Sequence, residues 1–187
     1  DHWSGGTATL VQTGDVTDRG AEVRGAFDLL MALQREAPKT GGRVLPVLGN
    51  HEAMNLVGEL RDATAAICDR FAGSNADKVR DDGWRDYERL VKTRARIRPD
   101  EQPLGLTRAK DGFLASYPRG CIEYRRALGP EGRYGKWLRT LPIGVKAGRI
   151  VFMHAGAPPE TTDALDELDE RARGDIARVV RPVAWRS

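Results

Sequence analysis

Apolar positions along this chain fall into two alternating patterns. Three short apolar runs have strand character: Thr9-Leu10-Val11-Gln12, Val44-Leu45-Pro46-Val47-Leu48 and Ile150-Val151-Phe152-Met153. The stretch after the first is different. Val23, Ala26, Phe27, Leu30, Leu33 and Ala37 recur at helical spacing, which predicts an amphipathic helix over 21–37. Pro38 and Gly41-Gly42 stop it, and the next strand begins at Arg43. A buried strand over 7–12, a helix and a strand over 43–48 make a β-α-β unit. Its strands are expected to be parallel, with a right-handed crossover. Residues 149–153 supply a third strand, expected beside the other two in one sheet.

The middle of the chain, about 59–141, is mostly charged and helical in pattern. Helices are predicted over 61–71 and 78–97, the latter burying Trp84, Tyr87, Leu90 and Val91, with Pro99, Pro103 and Gly105 breaking it. Residues 124–137 are less regular. Together they read as a helical insertion that either covers the sheet or shapes a cleft. Beyond the third strand, Pro158-Pro159 turns the chain away. Thr161-Thr162-Asp163 can cap a short acidic helix through Arg173, with another turn or two over 175–180.

A length of 187 residues suits one domain with its own core. The net charge of +3 is mild, and no basic run carries interleaved aromatics, so nucleic acid is not expected as a partner. The balance modestly favours anionic substrates. No run approaches the ~20 apolar residues of a membrane span. Cys68 and Cys121 lack metal-type spacing and are expected to be free, inert thiols, since a disulfide would need an oxidising compartment. The cytoplasm is the default compartment, and the oligomeric state is left open.

Each apolar run leads into a polar motif. These are Gly14-Asp15-Val16-Thr17-Asp18-Arg19-Gly20, Gly49-Asn50-His51-Glu52 and His154-Ala155-Gly156. Strands ending in Asp, Asn and His place those side chains along one rim of a sheet, where open α/β sheets bind ligands. Carboxylate, amide oxygen and imidazole together suit a divalent transition metal.

The order of these motifs resembles the calcineurin-like metallophosphatases, and within them the phosphoprotein phosphatases of the Shewanella-like branch. The lead-ins Trp3-Ser4-Gly5-Gly6 and Gly41-Gly42-Arg43-Val44 carry the resemblance further. It implies an α/β fold, a sheet sandwich flanked by helices with the helical insertion inside it. It implies hydrolysis of phosphate monoesters on a phosphorylated protein or peptide, assisted by two divalent metals. Mn²⁺ is the first choice, and Fe or Zn also suit such ligands. Asp15 would bridge the metals, and Asn50 and His154 would ligate the second. His51 would be the general acid, hydrogen-bonded by Asp18, and Arg19 would grip the phosphate. Glu52 would be a structural hydrogen-bond partner. A second phosphate-gripping arginine is expected between the second and third motifs, with Arg61 and its neighbour Asp62 the first to test.

The family also carries an upstream Asp-x-His pair and a downstream His. The only histidines here are His2, His51 and His154, so the sequence reads as a fragment of the catalytic domain, incomplete at both ends. Asp1-His2 is adjacent rather than spaced, and reads as loop. Two other functions compete. Dinucleoside-polyphosphate hydrolases share the first motif and have an HAG followed by a proline pair, but their second motif has Asp where this chain has Glu52. A degenerate, partner-binding domain is the other, opposed by the intact motifs.

Overall fold

The computed structural model describes residues 2–98, 105–156 and 164–179. Strand β1 (Thr9–Gln12) pairs in parallel with β2 (Arg43–Pro46), Leu10 lying opposite Val44 and Val11 opposite Leu45. Helix α1 (Val23–Glu36) joins them and buries Val23, Phe27 and Leu30, the i, i+4, i+7 stripe of its apolar face. A 3₁₀ turn (Ala37–Thr40) follows, closed by Gly41 in the left-handed region at φ 80°.

Three residues separate β2 from helix α2 (Asn50–Leu56), the last of them, Gly49, being its N-cap, so the second motif opens a helix. Then come α3 (Ala65–Asp69), α4 (Ala76–Ile97), α5 (Leu106–Ser116), α6 (Cys121–Leu128) and α7 (Arg133–Leu138). The helix expected from 61 starts later because Thr64 is its N-cap, its hydroxyl accepting from the Ile67 amide at 3.3 Å. The irregular stretch over 124–137 is the end of one helix and most of another, parted at Gly129-Pro130-Glu131-Gly132. On α4, Trp84 and Tyr87 pack with Phe113 of α5, but Leu90 is exposed.

The third predicted strand is β4 (Ile150–Met153), and here the one-sheet expectation fails. Residue for residue β4 pairs antiparallel with β3 (Gly144–Ala147), which the sequence pattern did not reveal. The described strands form two two-stranded sheets. Gly148, at φ 62°, makes the tight turn between β3 and β4. The segment after β2 meets the segment before β3, the Leu48 amide donating to the Pro142 carbonyl at 2.8 Å. With only two strands apiece they leave apolar side chains uncovered: Leu10, expected to be buried, is 40 % exposed and Ile150 59 %. Helix α8 (Leu165–Val179) packs on β3 and spans both short helical segments expected there. Asp1, Pro158-Pro159 and the Thr161-Thr162-Asp163 cap lie outside the described residues.

The main core is not behind the sheet alone. It unites Val23 and Phe27 of α1 with Ile67, Cys68, Phe71, Tyr124, Leu128, Tyr134 and Leu138 from the helical segment. Phe27 meets Tyr134 at 5.3 Å between ring centroids, and Phe71 meets Tyr124 edge-on at 4.8 Å. The insertion is therefore part of the core rather than a detachable cover. It is also cross-linked: Cys68 of α3 and Cys121 of α6 form a disulfide, which corrects the expectation of free thiols. Their separation of 53 residues carried no signal, whereas packing of α3 on α6 brings the two Cα atoms to 4.5 Å.

Candidate functional site

The three motifs meet where β1, β2 and β4 end. The first is a loop held against the start of α2 with almost no clearance. A Cβ on Gly14 would stand 2.6 Å from the Gly49 nitrogen and 3.1 Å from His154 Nδ1. A Cβ on Gly49 would collide with Asp15. Only glycine at both positions allows this approach.

Glu52 fastens the two motifs together. Its carboxylate is 1 % exposed. One oxygen accepts the Asp15 amide at 2.8 Å and the Gly49 amide at 2.9 Å. The other accepts the Thr17 amide at 2.8 Å and the Thr17 hydroxyl at 3.0 Å. Reaching back to the amide of the residue that precedes the helix also caps α2. The clamped loop is strained. Asp15, Asp18 and Arg19 have φ of 55°, 70° and 63°, the non-glycine positive values among the described residues. Each costs roughly 1–2 kcal/mol.

Asp15, Asn50 and His154 converge. His154 Nδ1 donates to the Thr13 carbonyl at 2.9 Å, which leaves Nε2 with its lone pair in the neutral ring. That nitrogen lies 3.1 Å from Asn50 Oδ1 and 3.3 Å from Asp15 Oδ2. The Asn50 amide nitrogen turns the other way, to Met54 Sδ at 4.0 Å. In the neutral ring His154 Nε2 faces the two oxygens lone pair to lone pair, an arrangement that a cation relieves. Ligands about 2.0–2.2 Å from a metal stand about 3.0–3.4 Å apart. The observed spacings fit a divalent metal held by these residues.

His51 is set differently. Its Nδ1 donates to Asp18 Oδ2 at 2.8 Å, and both side chains are buried. Its backbone amide donates to Asp15 Oδ1 at 3.2 Å. Arg19 Nη2 donates to His51 Nε2 at 3.2 Å, so this nitrogen is an acceptor in the structure. The hydrogen bond donated to Asp18 raises the imidazole pKa above its ordinary 6.5; burial opposes it, and the Asp15 charge assists. Asp62, expected beside Arg61, comes within 3.9 Å of the same Nδ1. Asp18, His51 and Asp62 present potential ligand atoms within 4.8 Å of one another. The proton shared by Nδ1 and Asp18 leaves that ring nitrogen no lone pair for a metal.

Arg61 stands beside this cluster, its guanidinium 3.9 Å from Met54 Sδ and 3.7 Å from Asp62. Arg119 is instead bound to Asp69 at 2.7 Å, across the insertion. Arg61 and Arg125 line a cavity of about 560 Å³ with Leu60 and Tyr117. His2 is exposed and apart from the site's hydrogen bonds described above. Two members of the site escaped the sequence reading, Asn55 and Tyr124. Asn55 donates to Asp18 Oδ2 at 3.1 Å and accepts the Tyr124 hydroxyl at 2.9 Å. A signal existed for Asn55, which follows His51 by four residues on one helix; none existed for Tyr124.

Known proteins are similar to this chain in sequence and fold. Residues 4–181 match the calcineurin-like phosphoesterase family. The chain is 34 % identical over 188 aligned positions to Shewanella-like protein phosphatase 2 of Arabidopsis thaliana, covering 94 % of this chain and 44 % of that one. It is 25 % identical to Shewanella-like protein phosphatase 1 of Plasmodium berghei, across 100 % of this chain and 40 % of the relative. The crystal structure of a cold-active protein-tyrosine phosphatase from a psychrophilic Shewanella superposes with a TM-score of 0.58 at 22 % identity, covering 94 % of this chain and 40 % of that one. The chain thus spans less than half the length of these relatives.

Proposed function

Because the chain belongs to the calcineurin-like phosphoesterases, we propose that it forms part of a metal-dependent phosphatase acting on phosphorylated protein. The observation that carries this reading is the convergence of Asp15 Oδ2, Asn50 Oδ1 and His154 Nε2 beside a buried His51–Asp18 pair. The first set would hold a divalent metal, and Asp15 would be the ligand shared with a second. When bound, such metals would supply neutralisation of phosphoryl charge and an activated water. Mn²⁺ is the first choice, with Fe and Zn compatible with the same donors.

The chain's own residues do the rest. Arg19, now on His51 Nε2, turns to the dianionic phosphate and grips it with its planar fork. Its departure frees Nε2 to carry a proton, which Asp18 favours by its bond to Nδ1. Water oxygen bonds to phosphorus as the ester P–O bond breaks, and the leaving oxygen takes the His51 proton. Arg61 is the second arginine suited to a phosphate oxygen, and the cavity it shares with Arg125 offers room for a neighbouring side chain of the substrate.

The reading is tested with full-length protein loaded with Mn²⁺ and assayed side by side on phosphotyrosine and phosphoserine peptides and on diadenosine tetraphosphate. Hydrolysis of phosphopeptide is expected, and His51→Asn is expected to lower turnover about 10²–10³-fold with metal content unchanged. Preference for the dinucleotide, or no hydrolysis of any of these, would overturn the proposal.

A further inference from the structure

We propose that Asn55 and Tyr124 are positioning residues for the His51–Asp18 pair, so that the helical insertion reaches the reacting centre through an unbroken buried chain of hydrogen bonds. The proposal rests on the phosphatase reading for its kinetic consequence, but its geometry stands without it.

The chain of bonds leaves Asn55 one orientation. Its amide nitrogen donates to Asp18 Oδ2 at 3.1 Å and to the His51 carbonyl one helical turn back at 2.9 Å. Its amide oxygen accepts the Tyr124 hydroxyl at 2.9 Å. A flipped amide would turn its oxygen onto the Asp18 carboxylate and the His51 carbonyl, acceptor against acceptor. The tyrosine hydroxyl supplies the donor that Asn55 Oδ1 requires. Tyr124 is fully buried, and burial holds its phenol well above the usual tyrosine range, so the hydroxyl stays protonated.

Asp18 depends on this support. Its Oδ2 accepts both His51 Nδ1 and Asn55, while its Oδ1 is buried with no partner among the described residues. A carboxylate anchored through one oxygen can rotate about its last torsion and exchange the two oxygens. The Asn55 donor opposes that rotation and keeps Oδ2 on the imidazole. Asp18 also sits in the left-handed region at φ 70°, where the backbone alone holds it weakly. Tyr124 is fixed in turn by the Phe71 ring and by α6, whose first residue, Cys121, is bonded to Cys68 of α3. A side chain needed only for packing at position 124 would require the ring and not the hydroxyl.

Misplacing Asp18 should impair proton donation more than metal or phosphate binding. Full-length protein loaded with Mn²⁺ is compared as wild type, Tyr124→Phe and Asn55→Ala, on phenyl phosphate and on 2,4-dinitrophenyl phosphate. The first has a leaving group that needs a proton; the second does not. In Tyr124→Phe the ratio of kcat on phenyl phosphate to kcat on the dinitrophenyl ester should fall about tenfold, a fraction of a full general-acid contribution. KM and metal content should stay within about twofold. Asn55→Ala should lower the same ratio further, which guards against a fold too weak to measure in one variant. Independently of activity, proton NMR of the metal-free 187-residue chain should show a low-field His51 Nδ1–H signal that exchanges with water at least about tenfold faster in Tyr124→Phe. An unchanged rate ratio in both variants, a parallel loss on both esters, or an unchanged low-field signal would overturn the proposal. If the wild type hydrolyses neither ester, the phosphatase reading falls and the NMR comparison still decides the relay.

Discussion

Replacing Glu52 by glutamine removes one charge and one acceptor from the clamp between the first two motifs, with almost no change in shape. The amide nitrogen must take the place of one carboxylate oxygen. In the place of the oxygen shared by the Asp15 and Gly49 amides, it would face two donors. In the other place it would face the Thr17 amide and the Thr17 hydroxyl, and the hydroxyl can rotate to accept. The second orientation wins, and it strands a single buried N–H, that of Thr17. One stranded donor costs about 1–3 kcal/mol, and the bonds lost to a charged acceptor lie towards the upper end. Relief from burying the charge offsets part of this, so the net loss should be about 2 kcal/mol. For a chain of this size that is about 4–8 °C in melting temperature. Glu52→Ala strands three backbone donors and should cost about 3–9 kcal/mol, enough to unfold the loop or the domain. The assay is thermal unfolding followed by circular dichroism in chelator, with amide exchange at Asp15, Thr17 and Gly49 as the local readout. A Glu52→Gln melting point within about 1 °C of wild type, with exchange at Thr17 unchanged, would refute the clamp.

Three other outcomes are expected. Arg19→Ala should weaken inhibition by inorganic phosphate at least about fivefold while leaving Mn²⁺ affinity unchanged, and phosphate inhibition equal to wild type would make Arg19 structural. Titrating the 187-residue chain with Mn²⁺ should reveal one weak site that His154→Ala abolishes; retention of that site would remove His154 from the ligand set. Tyr117, Tyr124 and Tyr134 all have phenol pKa values raised, in each case first by burial. A folded-state value above the unfolded one means that this stability is complete below about pH 10 and is lost as the pH rises further. Tyrosinate absorbance should therefore emerge together with the loss of circular dichroism. A gradual titration near pH 10 with native structure intact would contradict it.

How much of this was legible in the sequence depended on range. The β-α-β start was readable because its signal is local: an apolar run, a helical stripe at Val23, Phe27 and Leu30, then Pro38 and Gly41. The candidate metal donors were readable because each ends such a run. Strand β3 was not, since Gly144-Val145-Lys146-Ala147 is too short and too mixed to show an alternation. Without it, β4 had no visible partner and was assigned to the wrong sheet. The Cys68–Cys121 bond and the Tyr124 hydroxyl were also out of reach, because each depends on helices that meet across 53 and 69 residues of chain. Pattern reports which face of an element is apolar, not which other element covers it.

That same distinction explains how the first motif can be both strained and ordered. Three left-handed residues, Asp15, Asp18 and Arg19, together cost roughly 3–6 kcal/mol against a relaxed loop. Local sequence cannot repay that, since aspartate and arginine have no preference strong enough for those torsions. The compensation comes from two directions far away in the chain. Glu52, on α2, binds the Asp15 and Thr17 amides and the Thr17 hydroxyl across the junction, and Asn55, backed by Tyr124 of the insertion, holds Asp18. Three bonds from the first motif to a buried charged acceptor, at about 1.5–3 kcal/mol each, are of the size needed. The loop's shape is therefore maintained by protein groups alone. It follows that a metal bound here would meet His154 Nε2 already set about 3 Å from the Asn50 and Asp15 oxygens, and need not order the backbone. It also follows that the helical insertion cannot be deleted without disturbing the reacting centre, because one end of its hydrogen-bond chain is the carboxylate that orients His51.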